Sequence, residues 1–190
     1  MTADRPIEPG RHPLAHPVAF VGLPGAGKST VGRLVAARLE VAFVDFDERL
    51  AEQAGRSVVQ LFAEQGEAAF RRMEYELTTQ LLREPPAIWA PGGGWLTAPG
   101  VLARIGGQVS MIHLSTRPET ALARLAQDAN VRPLLAVAEP ERVLVRLLQE
   151  RAAAWATAQL TLDTDSLSLP ELVDAACAFA RRAGSDQDPR

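Results

Sequence analysis

Short apolar runs alternate along the chain with longer stretches in which apolar residues recur every three or four positions. The first run, Val18–Gly22, passes through a glycine-rich turn into the helical pattern Lys28–Leu39. A second run, Val41–Phe46, ends in acidic residues. Ser57 then suits the N-cap of a helix that carries Val58, Leu61 and Phe62 and stops at Gly66. Glu67–Leu82 continues a helical pattern until Pro85 and Pro86 end it. Ala87–Ala90 and Val109–Leu114 read as strands, Glu119–Gln127 and Glu141–Ala156 as helices, and Leu160–Leu162 as a short fifth strand. Pro170 fits the first turn of a closing helix that runs to Arg182. Short apolar strands separated by helices of this length predict a parallel sheet with helices on both faces: an α/β fold of three layers in one domain over residues 17–183. Residues 1–16 and 184–190 lack the periodicity and are expected to be disordered tails.

Composition narrows this picture rather than changing it. Of 190 residues, 47% are hydrophobic, enough for a packed core. The 20 Lys and Arg against 23 Asp and Glu give a net charge of -3, which disfavours a nucleic-acid partner, since such partners require a basic excess. No apolar run reaches the roughly 20 residues of a membrane span, and the N-terminus shows no secretory pattern, so the expectation is a cytoplasmic monomer. The single cysteine, Cys177, excludes an internal disulfide and reads as a small core residue.

The strongest chemical signal is Gly22-Leu-Pro-Gly-Ala-Gly-Lys-Ser-Thr30, a full match to G-x-x-x-x-G-K-[ST] placed between a strand and a helix. Its backbone N–H groups suit a phosphate cradle, Lys28 the terminal phosphates and Ser29 a Mg²⁺ ion. Asp45 and Asp47 end the second run, where strand alternation would put both carboxylates on one side with Phe46 on the other. One would then support a metal while the other takes a proton, although paired acids after a strand more often mark a helix start. Arg71 suits a substrate carboxylate, or else pairs with Glu67 or Glu74 across one helical turn. Gly92, Gly93 and Gly94 follow the third strand, where a ligand would approach the main chain, and Trp95 beside them would line that pocket. Arg132 lies in a loop between helices, at about 128–137, that suits a mobile lid.

Taken together, GLPGAGKST, the DFD pair, FRRME, APGGGW, VRPLL and the helical Arg151 resemble the shikimate kinase family over about residues 18–182. The resemblance implies a five-stranded parallel sheet of order 2-3-1-4-5, and ATP-dependent phosphorylation of the 3-hydroxyl of shikimate. It implies that Gly25, Ala26, Gly27, Lys28, Ser29 and Thr30 hold ATP, that Ser29 and Asp45 serve Mg²⁺, and that Arg124 lies near adenine. Asp47, Arg71, the Gly92–Gly94 triplet and Arg151 would bind shikimate, and Arg132 would be the lid arginine. With Lys28 and Asp47, Arg132 completes the implied catalytic set. Two other readings share parts of the pattern. A kinase of another sugar acid, such as gluconate, would not require the Phe-Arg and glycine elements. A non-catalytic ligand-binding module would be marked by loss of Lys28, Asp47 or Arg132, all of which are present.

Overall fold

A computed structural model of the chain describes residues 13–127 and 139–183. Five strands form one parallel sheet in the order β2-β3-β1-β4-β5. They are β1 (Val18–Val21), β2 (Phe43–Asp45), β3 (Ile88–Ala90), β4 (Ser110–Ser115) and β5 (Leu160–Asp163). The helices are α1 (Lys28–Leu39), α2 (Phe46–Ala54), α3 (Val58–Leu81), α4 (Val101–Ile105), α5 (Pro118–Leu125), α6 (Pro140–Trp155) and α7 (Leu169–Ala183), with a 3-10 turn at Trp95–Thr97. β1 is buried along its whole length, as a central parallel strand covered on both faces must be.

The register brings the strand ends level. Asp45 pairs with Ala90, Val21 with His113 and Ser115 with Asp163. In a parallel sheet the carboxyl ends share one edge, so the loops after β1, β2 and β3 open side by side. The core beneath them is closed by Trp89, Phe46 and Trp95, with Phe46 tilted against Trp89 at 5.9 Å and edge-on to Trp95 at 5.8 Å.

Several local differences from the sequence pattern have physical causes. β2 stops at Asp45 because its carboxylate accepts hydrogen bonds from the N–H groups of Asp47 and Glu48 and starts α2. The apolar Phe46 therefore belongs to the helix, not the strand. Ser57 caps α3 as expected, in a reciprocal box with Gln60. At Gly66 the backbone leaves helical geometry (φ 77°, ψ 171°), but the chain turns straight back into helix. The leading segment set apart as residues 1–16 extends too far, since Leu14 is 1% exposed and part of the core. Residues 1–12, the tail at 184–190 and the expected lid at 128–137 lie outside the described residues.

Candidate active site

β1 delivers the chain into the loop Gly22–Gly27, and α1 begins behind it. Gly27 starts the helix in a left-handed conformation without a side-chain cap. An uncapped helix start presents N–H groups and the positive end of the helix dipole, a suitable seat for a phosphate. Gly25 adopts φ +81°, and a Cβ there would lie 2.5 Å from the Ala121 carbonyl oxygen of α5, so no other residue fits this turn. Lys28 Nζ donates to the carbonyl oxygens of Gly22 (3.1 Å) and Leu23 (2.9 Å), which holds the ammonium over its own loop.

Ser29 Oγ donates to Asp45 Oδ2 at 2.6 Å, while Asp45 Oδ1 caps α2. Asp47 lies in the first turn of α2 rather than on the strand, so strand alternation does not set its direction; the helix turn does. The two aspartates therefore divide. Asp45 faces the phosphate loop, and Asp47 faces the glycines after β3.

Those glycines are where the remaining groups meet. A Cβ on Gly92 would lie 2.7 Å from Glu74 Oε1 and 3.7 Å from Asp47 Oδ1. On Gly93 it would lie 3.2 Å from Arg151 Nη1 and 3.3 Å from the Gly22 carbonyl oxygen. On Gly94 it would run into the Arg71 guanidinium. Side chains from α2, α3 and α6, together with the phosphate loop, thus close around three residues that have none.

The charges here are strongly coupled. Arg71 Nη1 donates to Glu74 Oε2 at 2.6 Å and Nη2 to Glu67 Oε1 at 2.9 Å. Burial works against the Arg71 charge, but the two carboxylates outweigh it and raise its pKa. Burial and the neighbouring Arg71 charge lower the pKa of Arg151, which is 6% exposed. Glu74 is fully buried, and its Oε1 has no hydrogen-bond partner. Burial pushes this carboxyl up to about 7 despite the opposing pull of Arg71.

The family model for shikimate kinase matches residues 24–180. A shikimate kinase of Xanthomonas oryzae pv. oryzae is 38% identical over 81% of this chain and 86% of its own. One from Bradyrhizobium diazoefficiens is 35% identical over 84% and 77%. The shikimate kinase of Acinetobacter baumannii, solved in complex with shikimate, superposes with a TM-score of 0.80 at 30% identity, over 86% of this chain and 92% of that one. The chain belongs to the shikimate kinase family.

Within this shikimate kinase fold, the residues singled out in the sequence occupy two adjoining places. Lys28, Ser29 and Asp45 cluster at the phosphate loop. Asp47, Arg71, Arg151 and Gly92–Gly94 gather beside it. Arg124 bridges α5 to the turn after β5, donating to Thr164 Oγ1 at 2.9 Å and to the Thr164 carbonyl at 2.8 Å. Arg132 lies outside the described residues. Trp95 departs from expectation. The 3-10 turn after Gly94 swings its indole into the core, where Nε1 donates to Thr78 Oγ1 at 2.8 Å, so the ring does not form a pocket wall. Trp155 stacks on His113 at 5.4 Å. Glu74 is the site residue that sequence reasoning passed over except as a partner for Arg71. Its signal lay in the spacing, because Phe70, Glu74, Leu77 and Leu81 form the buried stripe of α3, and a carboxylate in that stripe has to be satisfied inside.

Proposed function

We propose that this chain transfers the γ-phosphoryl group of ATP to the 3-hydroxyl of shikimate, giving shikimate 3-phosphate and ADP. The observation that carries this reading is the meeting of Asp47, Arg71 and Arg151 at Gly92–Gly94, directly against the phosphate loop. A polyhydroxylated carboxylate calls for cations at one end, a proton acceptor at the other, and main chain close enough to meet ring hydroxyls. Here α3 and α6 supply the cations, and α2 supplies the carboxylate. The family match favours shikimate over gluconate, and retention of Lys28 and Asp47 favours catalysis over a binding module.

The transfer places demands on each residue. Arg71 and Arg151 hold the acceptor's carboxylate and fix the ring. Asp47 accepts a hydrogen bond from the acceptor hydroxyl and takes its proton as the new O–P bond forms and the bond from the γ-phosphorus to the β–γ bridging oxygen breaks. Gly25–Thr30 cradle the phosphates. Lys28 exchanges the carbonyls of Gly22 and Leu23 for phosphate oxygens and steadies the growing charge. Arg124 borders the adenine, and Arg132 serves as the lid arginine on the strength of its motif alone. The hydroxyl of Ser29 beside the carboxylate of Asp45 is an all-oxygen donor pair of the kind Mg²⁺ takes alongside phosphates and water. When bound, that ion supplies charge neutralisation on the nucleotide phosphates. The chain acts on small molecules as a cytoplasmic monomer, and its net charge of -3 offers no basic excess for a nucleic-acid partner.

A coupled ADP-release assay with shikimate, quinate and gluconate as acceptors tests the reading. Shikimate-dependent turnover with a Mg²⁺ requirement is expected. Turnover of gluconate without shikimate would overturn it.

A further inference from the structure

The two arginines of the acceptor site create an electrostatic problem that the protein must solve before any substrate arrives. Arg71 and Arg151 approach consecutive glycines from different helices, and the Arg71 charge works against that of Arg151. Like charges held together away from water require an anion. Glu74 provides one only in part near neutral pH, since burial raises its pKa to about 7, and it is locked in place, wholly buried behind Gly92. The second is Glu67. It reaches in from the solvent edge to Arg71 Nη2 at 2.9 Å, and its charge also favours the ionised form of Arg151.

We propose that Glu67 is an exchangeable carboxylate of the acceptor site: it occupies the second fork of Arg71 when no acceptor is bound, and the acceptor's own carboxylate replaces it there. The inference rests on the reading that Arg71 holds the acceptor's carboxylate. Three features suit Glu67 to this role and Glu74 to a fixed one. The Glu67 side chain is 54% exposed while that of Arg71 is 11% exposed, so the pair breaks toward water from the glutamate side only. An exposed ion pair is weak and easily exchanged, whereas stripping a guanidinium that is mostly out of water is costly. Glu67 also follows the break at Gly66, so it stands in the first turn of the resumed helix, where the helix dipole stabilises a carboxylate that has let go of its arginine.

Glu67 therefore lowers the affinity of everything that uses Arg71 through a carboxylate, substrate and phosphorylated product alike, and returns as the product leaves. The test is binding rather than turnover alone. Kd values for shikimate and shikimate 3-phosphate are measured by calorimetry on the wild type, Glu67→Gln, Glu67→Ala and Arg71→Lys. Both Glu67 variants should tighten both ligands by a common factor of about two to five, the range an exposed ion pair is worth, with the KM for ATP unmoved. Arg71→Lys should weaken both by about tenfold or more, since lysine lacks the planar fork. Weaker binding in Glu67→Gln would mean that Glu67 holds Arg71 in the occupied site, and unchanged binding would make it a plain surface pair; either result overturns the exchange. If Arg71→Lys also binds shikimate normally, the underlying assignment of Arg71 falls with it.

Discussion

Asp45 and Asp47 lie two positions apart, yet their carboxylates stand in different places, and substitution can test the separate duties proposed for them. Asp47→Asn keeps the shape and removes the proton acceptor. Its kcat should fall by about 10²–10⁴-fold while the KM for ATP stays near the wild-type value. Asp45→Asn should instead raise the Mg²⁺ requirement with little loss of stability, because asparagine still caps a helix. Asp45→Ala should lose the cap as well, at about 1 kcal/mol, read by urea unfolding. Near-normal kcat in Asp47→Asn with a need for extra Mg²⁺ would reverse the assignments. Glu74 makes a prediction of a different kind. Its carboxyl stands at about 7 in the folded protein against the ordinary 4.5. Between those values the folded state keeps a proton that the unfolded chain has released. This group's contribution to stability is therefore greatest below about pH 4.5, declines through the interval and levels off above pH 7. The whole decline amounts to roughly 3 kcal/mol at 1.36 kcal/mol per unit. Arg71, Asp47 and Arg151 are the charges that act on it. Urea unfolding at pH 5 and pH 8 should show a smaller pH difference in Glu74→Gln than in the wild type; an identical difference would remove Glu74 from the account.

Among the elements, the 3-10 turn at Trp95–Thr97 does more than its length suggests. Trp95 Nε1 donates to Thr78 Oγ1, which donates in turn to the Glu74 carbonyl at 2.7 Å, so the end of the glycine triplet is pinned to α3 beside Arg71. Thr78→Val keeps the volume but leaves a buried indole N–H unpaired. Stability should drop by about 1–3 kcal/mol in urea unfolding, and the KM for shikimate should rise more than that for ATP, because the pinned segment belongs to the acceptor side. A stability loss with the two KM values moving together would make the turn a purely structural staple. This turn and α4 were not legible in the sequence. Three and five residues are too short for apolar periodicity to register. The start of α2 was signalled by the acids Asp45 and Asp47 but not its exact place, since Phe46 prolongs the apolar run of β2 and the capping geometry of Asp45 shows where the strand ends.

For the molecule as a whole, the strands, the longer helices and their parallel arrangement could be read directly, because each apolar run is bounded by a glycine, a proline or a charge. The phosphate loop was equally plain, since its chemistry depends on backbone shape and only a narrow set of residues permits that shape. The acceptor side was legible as a set of residues but not as an arrangement. Nothing in the spacing of Asp47, Arg71 and Arg151 says that they meet, and Arg71 alone looked like half of a helical ion pair. Both descriptions of Arg71 hold, because its partners Glu67 and Glu74 are themselves part of the site. Trp95 was misplaced for the same reason: its neighbours in sequence border the pocket, but the turn sends the ring elsewhere.

The bare triplet at Gly92–Gly94 has a consequence for anyone redesigning this protein. The floor of the proposed acceptor site is main chain, and each of its three positions is already crowded by a charged group from another helix. A side chain added there would displace the glutamate or one of the arginines before it touched a new ligand. Altered acceptor choice has to be engineered from the walls, on α2, α3 and α6, with the floor left untouched. Because the charged side chains of those walls act on one another across the helices, they have to be varied together rather than one wall at a time.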